Sequence, residues 1–130
     1  MSLRTRVLLI DDSPTSLVWQ LVLLQEEQYD TLTANTTGEG VRIARMERPD
    51  LVILDATTRY ADVIAAATEL RTDPETSHLP ILIVLGGGRN RAFEFAAISD
   101  DQIEKPLDRA EYLQRIRALL GRRRRARLRS

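Results

Sequence analysis

Cysteine is missing from this 130-residue chain, which excludes disulfides and thiolate metal sites. No apolar run approaches the ~20 residues that a membrane-spanning helix needs, and Met1-Ser2-Leu3-Arg4 lacks the apolar stretch of a secretory signal. Histidine occurs once, at His78, in a polar loop without a ligand partner at useful spacing, so it reads as a surface side chain. Gly86-Gly87-Gly88 is followed by no lysine and no helix-opening serine or threonine, which excludes a P-loop and leaves a flexible strand-to-helix connection. No Gly-x-Gly-x-x-Gly follows the first apolar run, so a dinucleotide-binding domain is excluded as well. The expected location is cytoplasmic.

What is present is ordinary for a folded domain: 43% apolar and 29% charged residues, with room for one hydrophobic core. The formal charge of zero conceals an asymmetry. Six of the 19 basic residues fall between Arg122 and Arg129 and none of the 19 acids does, so the first 120 residues carry a charge near −6. A body of that sign is not expected to bind nucleic acid or a membrane surface. We expect one domain over residues 1–121 and an Arg-rich tail, or the start of a linker, over 122–130. The cationic run would complement the dipole at a helix C-terminus.

Short apolar runs alternate with longer segments of helical period, the signature of a parallel α/β sheet. Val7-Leu8-Leu9-Ile10 reads as a buried first strand. Ser13 is placed to cap the next helix, Pro14 suits its first turn, and Leu17, Leu21 and Leu24 share one face. Trp19 on this helix is expected to be core or partly buried. Thr31 to Ala34 gives a second strand; Thr36 and Glu39 have capping-box spacing before a helix that ends at Pro49. Leu51-Val52-Ile53-Leu54 is the third strand, followed by a helix from about Asp62 to Arg71. Ile81 to Leu85 forms the fourth strand, a short helix spans roughly Asn90 to Ala97, and a fifth strand lies near Gln102 to Glu104. Phe93 and Phe95, two apart, cannot share a helical face, so one is expected to be exposed. Asp108 is placed to cap a last helix that buries Tyr112, Ile116, Leu119 and Leu120. Right-handed crossovers then give a five-stranded parallel sheet, (βα)5, with helices on both faces.

In such sheets ligands bind beyond the carboxyl ends of the strands. Those ends read Asp11-Asp12, Asp55, Leu85-Gly86 and Lys105-Pro106. Two carboxylates 4 Å apart repel by roughly 4 kcal/mol at an effective dielectric of ~20, so the cluster must hold a proton, a cation or both. All-oxygen ligation with open positions suits Mg²⁺. A carboxylate beside Mg²⁺ and an ammonium can attack a phosphoryl donor, which points to an aspartyl phosphate. Lys105 is the only lysine, in a chain that uses arginine everywhere else, so a compact ammonium is wanted there.

These residues resemble the CheY-like receiver domain of two-component response regulators. The resemblance runs from about Arg6 to Leu120 and is carried by Val7-Leu8-Leu9-Ile10-Asp11-Asp12-Ser13, Arg48-Pro49-Asp50-Leu51-Val52-Ile53-Leu54-Asp55, Leu70-Arg71-Thr72-Asp73 with Leu79-Pro80-Ile81, and Lys105-Pro106-Leu107. It implies the flavodoxin-like strand order 2-1-3-4-5 and a signalling module rather than an enzyme. Asp55 would be the phosphoacceptor. Asp12 and the Thr57 carbonyl would bind Mg²⁺ directly, with Asp55, and Asp11 mainly through water. Lys105 and the Gly86 N–H would meet the phosphoryl oxygens, and the Lys105–Pro106 peptide would be cis. The implied partners are a histidine kinase or phosphotransfer protein and a second copy through the last two helices; the chain is either a stand-alone receiver or the N-terminal part of a longer regulator with an output domain C-terminal to Ser130.

Three positions depart from the family pattern. Leu85 stands where a threonine or serine is usual, Gln102 where an aromatic is usual, and Arg59-Tyr60 where Pro-Gly is usual. A leucine cannot hydrogen-bond to phosphate, and bonds to charged groups are worth ~1.5–3 kcal/mol, so the usual coupling would weaken roughly 10- to 100-fold. The reading is a phosphorylatable receiver with atypical output switching. The alternative is a pseudo-receiver that binds partners independently of phosphate, with Arg59 reaching the acidic rim as a built-in cation. A dehalogenase-type enzyme is disfavoured, since its Asp-x-Asp motif is replaced by Asp11-Asp12-Ser13 and no cap domain is present.

Overall fold

The computed structural model describes residues 4–87 and 92–129. Parallel strands β1 (Arg6–Ile10), β2 (Asp30–Ala34), β3 (Leu51–Ala56), β4 (Ile81–Leu85) and β5 (Asp101–Glu104) alternate with helices α1 (Pro14–Glu26), α2 (Thr37–Glu47), α3 (Tyr60–Thr72), α4 (Ala92–Phe95) and α5 (Arg109–Arg129). The sheet order is β2-β1-β3-β4-β5, the doubly wound order expected. Gly88 and Asn90, in the expected glycine loop and helix start, lie outside the described residues, as do Met1, Ser2 and Leu3. Among the described residues no helix is long and apolar enough to cross a membrane.

Alternation along the strands splits the core in two. Val7, Leu9, Leu51, Ile53, Leu82 and Val84 face α1 and α5, where Leu23, Leu24, Tyr112 and Ile116 complete the layer. Leu8, Ile10, Val52, Leu54, Ile83 and Leu85 face α2, α3 and α4. A Cβ at Gly40 would lie 2.2 Å from Ile10 Cδ1, so this close approach of α2 to β1 needs a glycine. The parity decides the site. Asp11 follows Val7 and Leu9, and Asp55 follows Leu51 and Ile53, so both carboxylates point into the α1/α5 layer.

Local signals act mostly as expected. Thr36 accepts the Glu39 N–H at 3.2 Å, and Asp108 Oδ2 accepts the Glu111 N–H at 2.9 Å. Arg48 ends α2 in a left-handed conformation (φ 48°) directly before Pro49. Phe95 is fully buried and Phe93 is 90% exposed.

Several expectations are corrected. Ser13 occupies the N-cap position, but its side chain makes no cap bond; its N–H instead donates to Asp11 Oδ1 at 3.0 Å. The buried face of α1 is Gln20, Leu23 and Leu24, with Leu21 only partly covered, because the helix phase follows the acidic rim. Trp19 is 51% exposed, one position round from Gln20 on the outer side. The third helix starts at Tyr60, two residues early, from a left-handed Arg59 (φ 53°). The arginine run, by contrast, forms the helix terminus expected of it, with α5 spanning Arg109–Arg129. Arg123 Nη1 donates to the Pro49 carbonyl at 2.8 Å, anchoring the helix under β3.

Candidate active site

The strand register assembles the site. Ile10 pairs with Leu54, which sets Asp11 level with Asp55. Ala56 pairs with Leu85 and Leu85 with Glu104, which brings Lys105 to the same rim. The Lys105 N–H donates to the Leu85 carbonyl at 2.8 Å, and the Lys105–Pro106 peptide is cis, as the resemblance implied.

Asp55 is only 5% exposed. Its Oδ2 lies 2.9 Å from Lys105 Nζ and accepts from Gln20 Nε2 at 2.9 Å and Ser16 Oγ at 3.2 Å. Its Oδ1 accepts the Thr57 N–H at 3.0 Å and the Thr57 hydroxyl at 2.6 Å. Lys105 Nζ also donates to Ser16 Oγ at 2.8 Å, so the ammonium is oriented rather than merely nearby. One cation and four neutral donors thus compensate a carboxylate that would otherwise be costly to bury.

The two adjacent acids have different surroundings. Asp11 is buried; Oδ2 accepts from Gln20 at 3.1 Å and Oδ1 from the Ser13 N–H. Burial pushes its carboxyl above the usual range and the Asp55 charge adds to this, while the Ser16 hydroxyl, the Ser13 N–H and Lys105 pull the other way. Asp12 is more open. The Thr58 hydroxyl reaches its two oxygens at 2.9 and 3.1 Å, and Arg59 Nε lies 3.2 Å away. Arg59 thus sits on the acidic rim where the sequence allowed it.

Asp12, Asp55, Thr58 and Arg59 line an open cleft of about 290 Å³. Among the described residues, no three acidic or histidine side chains surround one ion-sized point. Two carboxylates on a solvent-open cleft still match Mg²⁺, which binds through one or two carboxylates and keeps several waters. Asp11 does not line this cleft. Thr57 reaches Asp55 directly, through its N–H and hydroxyl. At Gly86 a Cβ would lie 3.2 Å from Thr57 Cγ2, which places that loop against the site. At Gly87 a Cβ would meet the Lys105 carbonyl oxygen at 2.9 Å.

Three site residues were missed from sequence: Ser16, Gln20 and Tyr112. Gln20 is fully buried and bonded to both acids, and it accepts the Tyr112 hydroxyl at 2.8 Å. Its signal was legible, since a glutamine three and four residues before Leu23 and Leu24 lies on the apolar face. Tyr112 was expected in the core, but nothing in the sequence gave its hydroxyl a partner.

The family model of the response regulator receiver domain matches residues 7–117. The chain belongs to this receiver-domain family. Receiver domains are signalling modules of two-component systems and generally not enzymes. This receiver is 32% identical to protein PilH of Pseudomonas aeruginosa over 118 residues, covering 89% of this chain and 98% of PilH. It is 34% identical over 119 residues to the DNA-binding transcriptional regulator RpaA of Synechocystis, covering 90% of this chain and 49% of that protein. Its fold matches the receiver domain of a Pseudomonas aeruginosa sensor histidine kinase, solved with magnesium coordinated in the active-site cleft. That match has a TM-score of 0.83 at 22% identity and covers 91% of this chain and 98% of the other.

Within the family frame, the receiver's β4 ends on an apolar Leu85 that is 2% exposed. Gln102 Nε2 donates to the Ala92 carbonyl at 2.9 Å and to Ser99 Oγ at 3.2 Å, so it ties β5 to α4.

Proposed function

We propose that this receiver accepts a phosphoryl group on Asp55 in an Mg²⁺-dependent reaction, with atypical output. The observation that carries the reading is Lys105 Nζ 2.9 Å from Asp55 Oδ2, with Asp12 lining the same cleft. An Asp55 oxygen bonds to phosphorus as the P–N bond of a phosphohistidine, or the P–O bond of acetyl phosphate, breaks. The leaving group takes the electron pair. Lys105 balances charge on the transferring group, and the Gly86 N–H donates to it. Bound through Asp12 and Asp55, with the Thr57 carbonyl and a water-mediated Asp11, Mg²⁺ supplies neutralisation of the phosphoryl oxygens. Serine and threonine hydroxyls at Ser16 and Thr57 orient the acceptor.

The domain is assigned to residues 1–121, with 122–130 as tail or linker. The protein is cytoplasmic, and a histidine kinase or phosphotransfer protein is the donor. An output domain beyond Ser130 and a homodimer through the last two helices are the routes by which the signal would leave. The domain itself binds neither membrane nor nucleic acid. Intact-mass measurement after incubation with acetyl phosphate and Mg²⁺ tests the chemistry. A phosphoryl adduct lost in Asp55→Asn is expected; no adduct under conditions that label an ordinary receiver refutes it.

One observation favours a second reading, a module that binds partners without phosphate. Arg59 and Thr58 already satisfy Asp12, and Leu85 offers no hydroxyl. Partner affinity that is the same for wild type, Asp55→Asn and the beryllofluoride complex would support it.

A further inference from the structure

Among the described residues, Gln20 on α1 bonds to both buried acids and also to α5, the other helix of its layer. Its Nε2 lies 2.9 Å from Asp55 Oδ2, 3.1 Å from Asp11 Oδ2 and 3.3 Å from Ser16 Oγ, and its Oε1 accepts from the Tyr112 hydroxyl at 2.8 Å. Ionised carboxylates only accept, so the NH₂ end must face them and the carbonyl end must face the phenol. Both Gln20 and Tyr112 are fully buried, so water cannot substitute for either partner. Two amide hydrogens serve three oxygens, which leaves their distribution sensitive to the charge on each.

We propose that Gln20 is a positioning residue that orients Asp55 and passes its change of charge to α5 through Tyr112. The proposal rests on Asp55 being the phosphoacceptor. Forming the acyl phosphate removes the negative charge from the Asp55 carboxyl and carries it outward on the phosphoryl group. The amide then loses an anionic acceptor, and its hydrogens turn toward Asp11. The carboxamide is a rigid plane, so Oε1 moves with Nε2 and the Tyr112 hydroxyl must follow. Tyr112 is itself an α5 residue, buried in the same apolar layer as Ile116 and Leu119, so the shift is delivered to α5. Among the described residues the β4–β5 side offers no such chain, because Leu85 is apolar and Gln102 is held by Ala92 and Ser99.

Amide and tyrosine-ring NMR spectra of the full chain test this, read with beryllofluoride and Mg²⁺ at saturation. In the wild type, α5 amides from Tyr112 to Ile116 and the Tyr112 ring signals are expected to shift. In Tyr112→Phe at the same Asp55 occupancy, the α5 shifts should be lost while those at Asp55 and Thr57 remain. Persistence of the α5 shifts in that variant overturns the proposal, as does a wild-type response confined to α4 and β5. Gln20→Met, equal in length and apolar, should disconnect α5 in the same way and serves if Tyr112→Phe folds poorly. Failure of beryllofluoride to occupy the wild-type site would instead refute the phosphoacceptor reading. The link is then read from Asp55→Asn alone: Tyr112 ring signals that do not move on that substitution overturn it.

Discussion

Asp55 sits between two dissimilar regions. Toward α1 and α5 it meets Ser16, Gln20 and, through Gln20, Tyr112, a polar chain with no exposure at its two inner members. Toward β4, α4 and β5 it meets the end of an apolar strand at Leu85, and Gln102 is turned away to Ala92 and Ser99. A buried carboxylate must find donors somewhere. In this receiver the helix-borne donors come from α1, through Ser16 and Gln20, and Lys105 and Thr57 at the strand ends supply the rest, while Leu85 on the opposite face is apolar. The comparison also separates chemistry from response. Lys105 meets Asp55 directly, whichever side responds to it.

The contrast is tested in order of expected effect. Lys105→Met should slow Asp55 labelling by acetyl phosphate about 10²-fold, and Lys105→Arg should not restore it, because a planar guanidinium does not replace a compact ammonium. Wild-type rates, followed by mass against time, would remove Lys105 from the chemistry. On the polar side, Gln20→Leu strips a donor from two buried acids and should cost about 2–3 kcal/mol in urea unfolding, with Tyr112→Phe costing about 1–2 kcal/mol. The double variant should fall short of their sum by about 1 kcal/mol if the pair acts together; full additivity would mean that it does not.

On the apolar side, Leu85→Thr should cost about 2 kcal/mol by lost packing and a buried hydroxyl. It should also extend the beryllofluoride-induced NMR response into α4 and β5. At the rim, Arg59→Ala should tighten Mg²⁺ binding, read by calorimetry, roughly two- to fivefold, the scale of an exposed ion pair. Weaker binding would show that Arg59 helps rather than occupies the site.

The smallest effect concerns pH. Burial, followed by the Asp55 and Asp11 charges, raises the Tyr112 phenol well above its ordinary value. The unfolded chain loses that proton above pH ~10 while the folded one keeps it, so stability falls as pH rises through that range. Tyr112→Phe should flatten the alkaline loss of stability, measured by unfolding at successive pH values. An unchanged slope would show that the phenol is not the group responsible.

Much of the fold was legible. Continuous apolar runs such as Leu51 to Leu54 mark strands buried on both faces, and local signals such as Thr36-x-x-Glu39 and Asp108 acted where they stood. Helix phase was less legible. On α1 the leucines at 17, 21 and 24 pointed to a face that the tertiary structure rotated toward Gln20 and Leu23, leaving Trp19 outside. Apolar residues nearly surround that helix, so periodicity alone had little to choose between.

The sequence by itself determined that Asp11, Asp12, Asp55 and Lys105 stand at strand ends, because the period of a strand and the direction of a parallel sheet are local and topological facts. It could not determine how the two neighbouring acids divide their work. Strand register turns Asp11 inward onto an amide and leaves Asp12 at an open cleft under Arg59, a difference of one residue in the chain and of one sheet face in space. Contacts such as Gln20 with Tyr112, 92 residues apart, exist only once α1 and α5 are packed on the same layer. No local propensity encodes a hydrogen bond of that length.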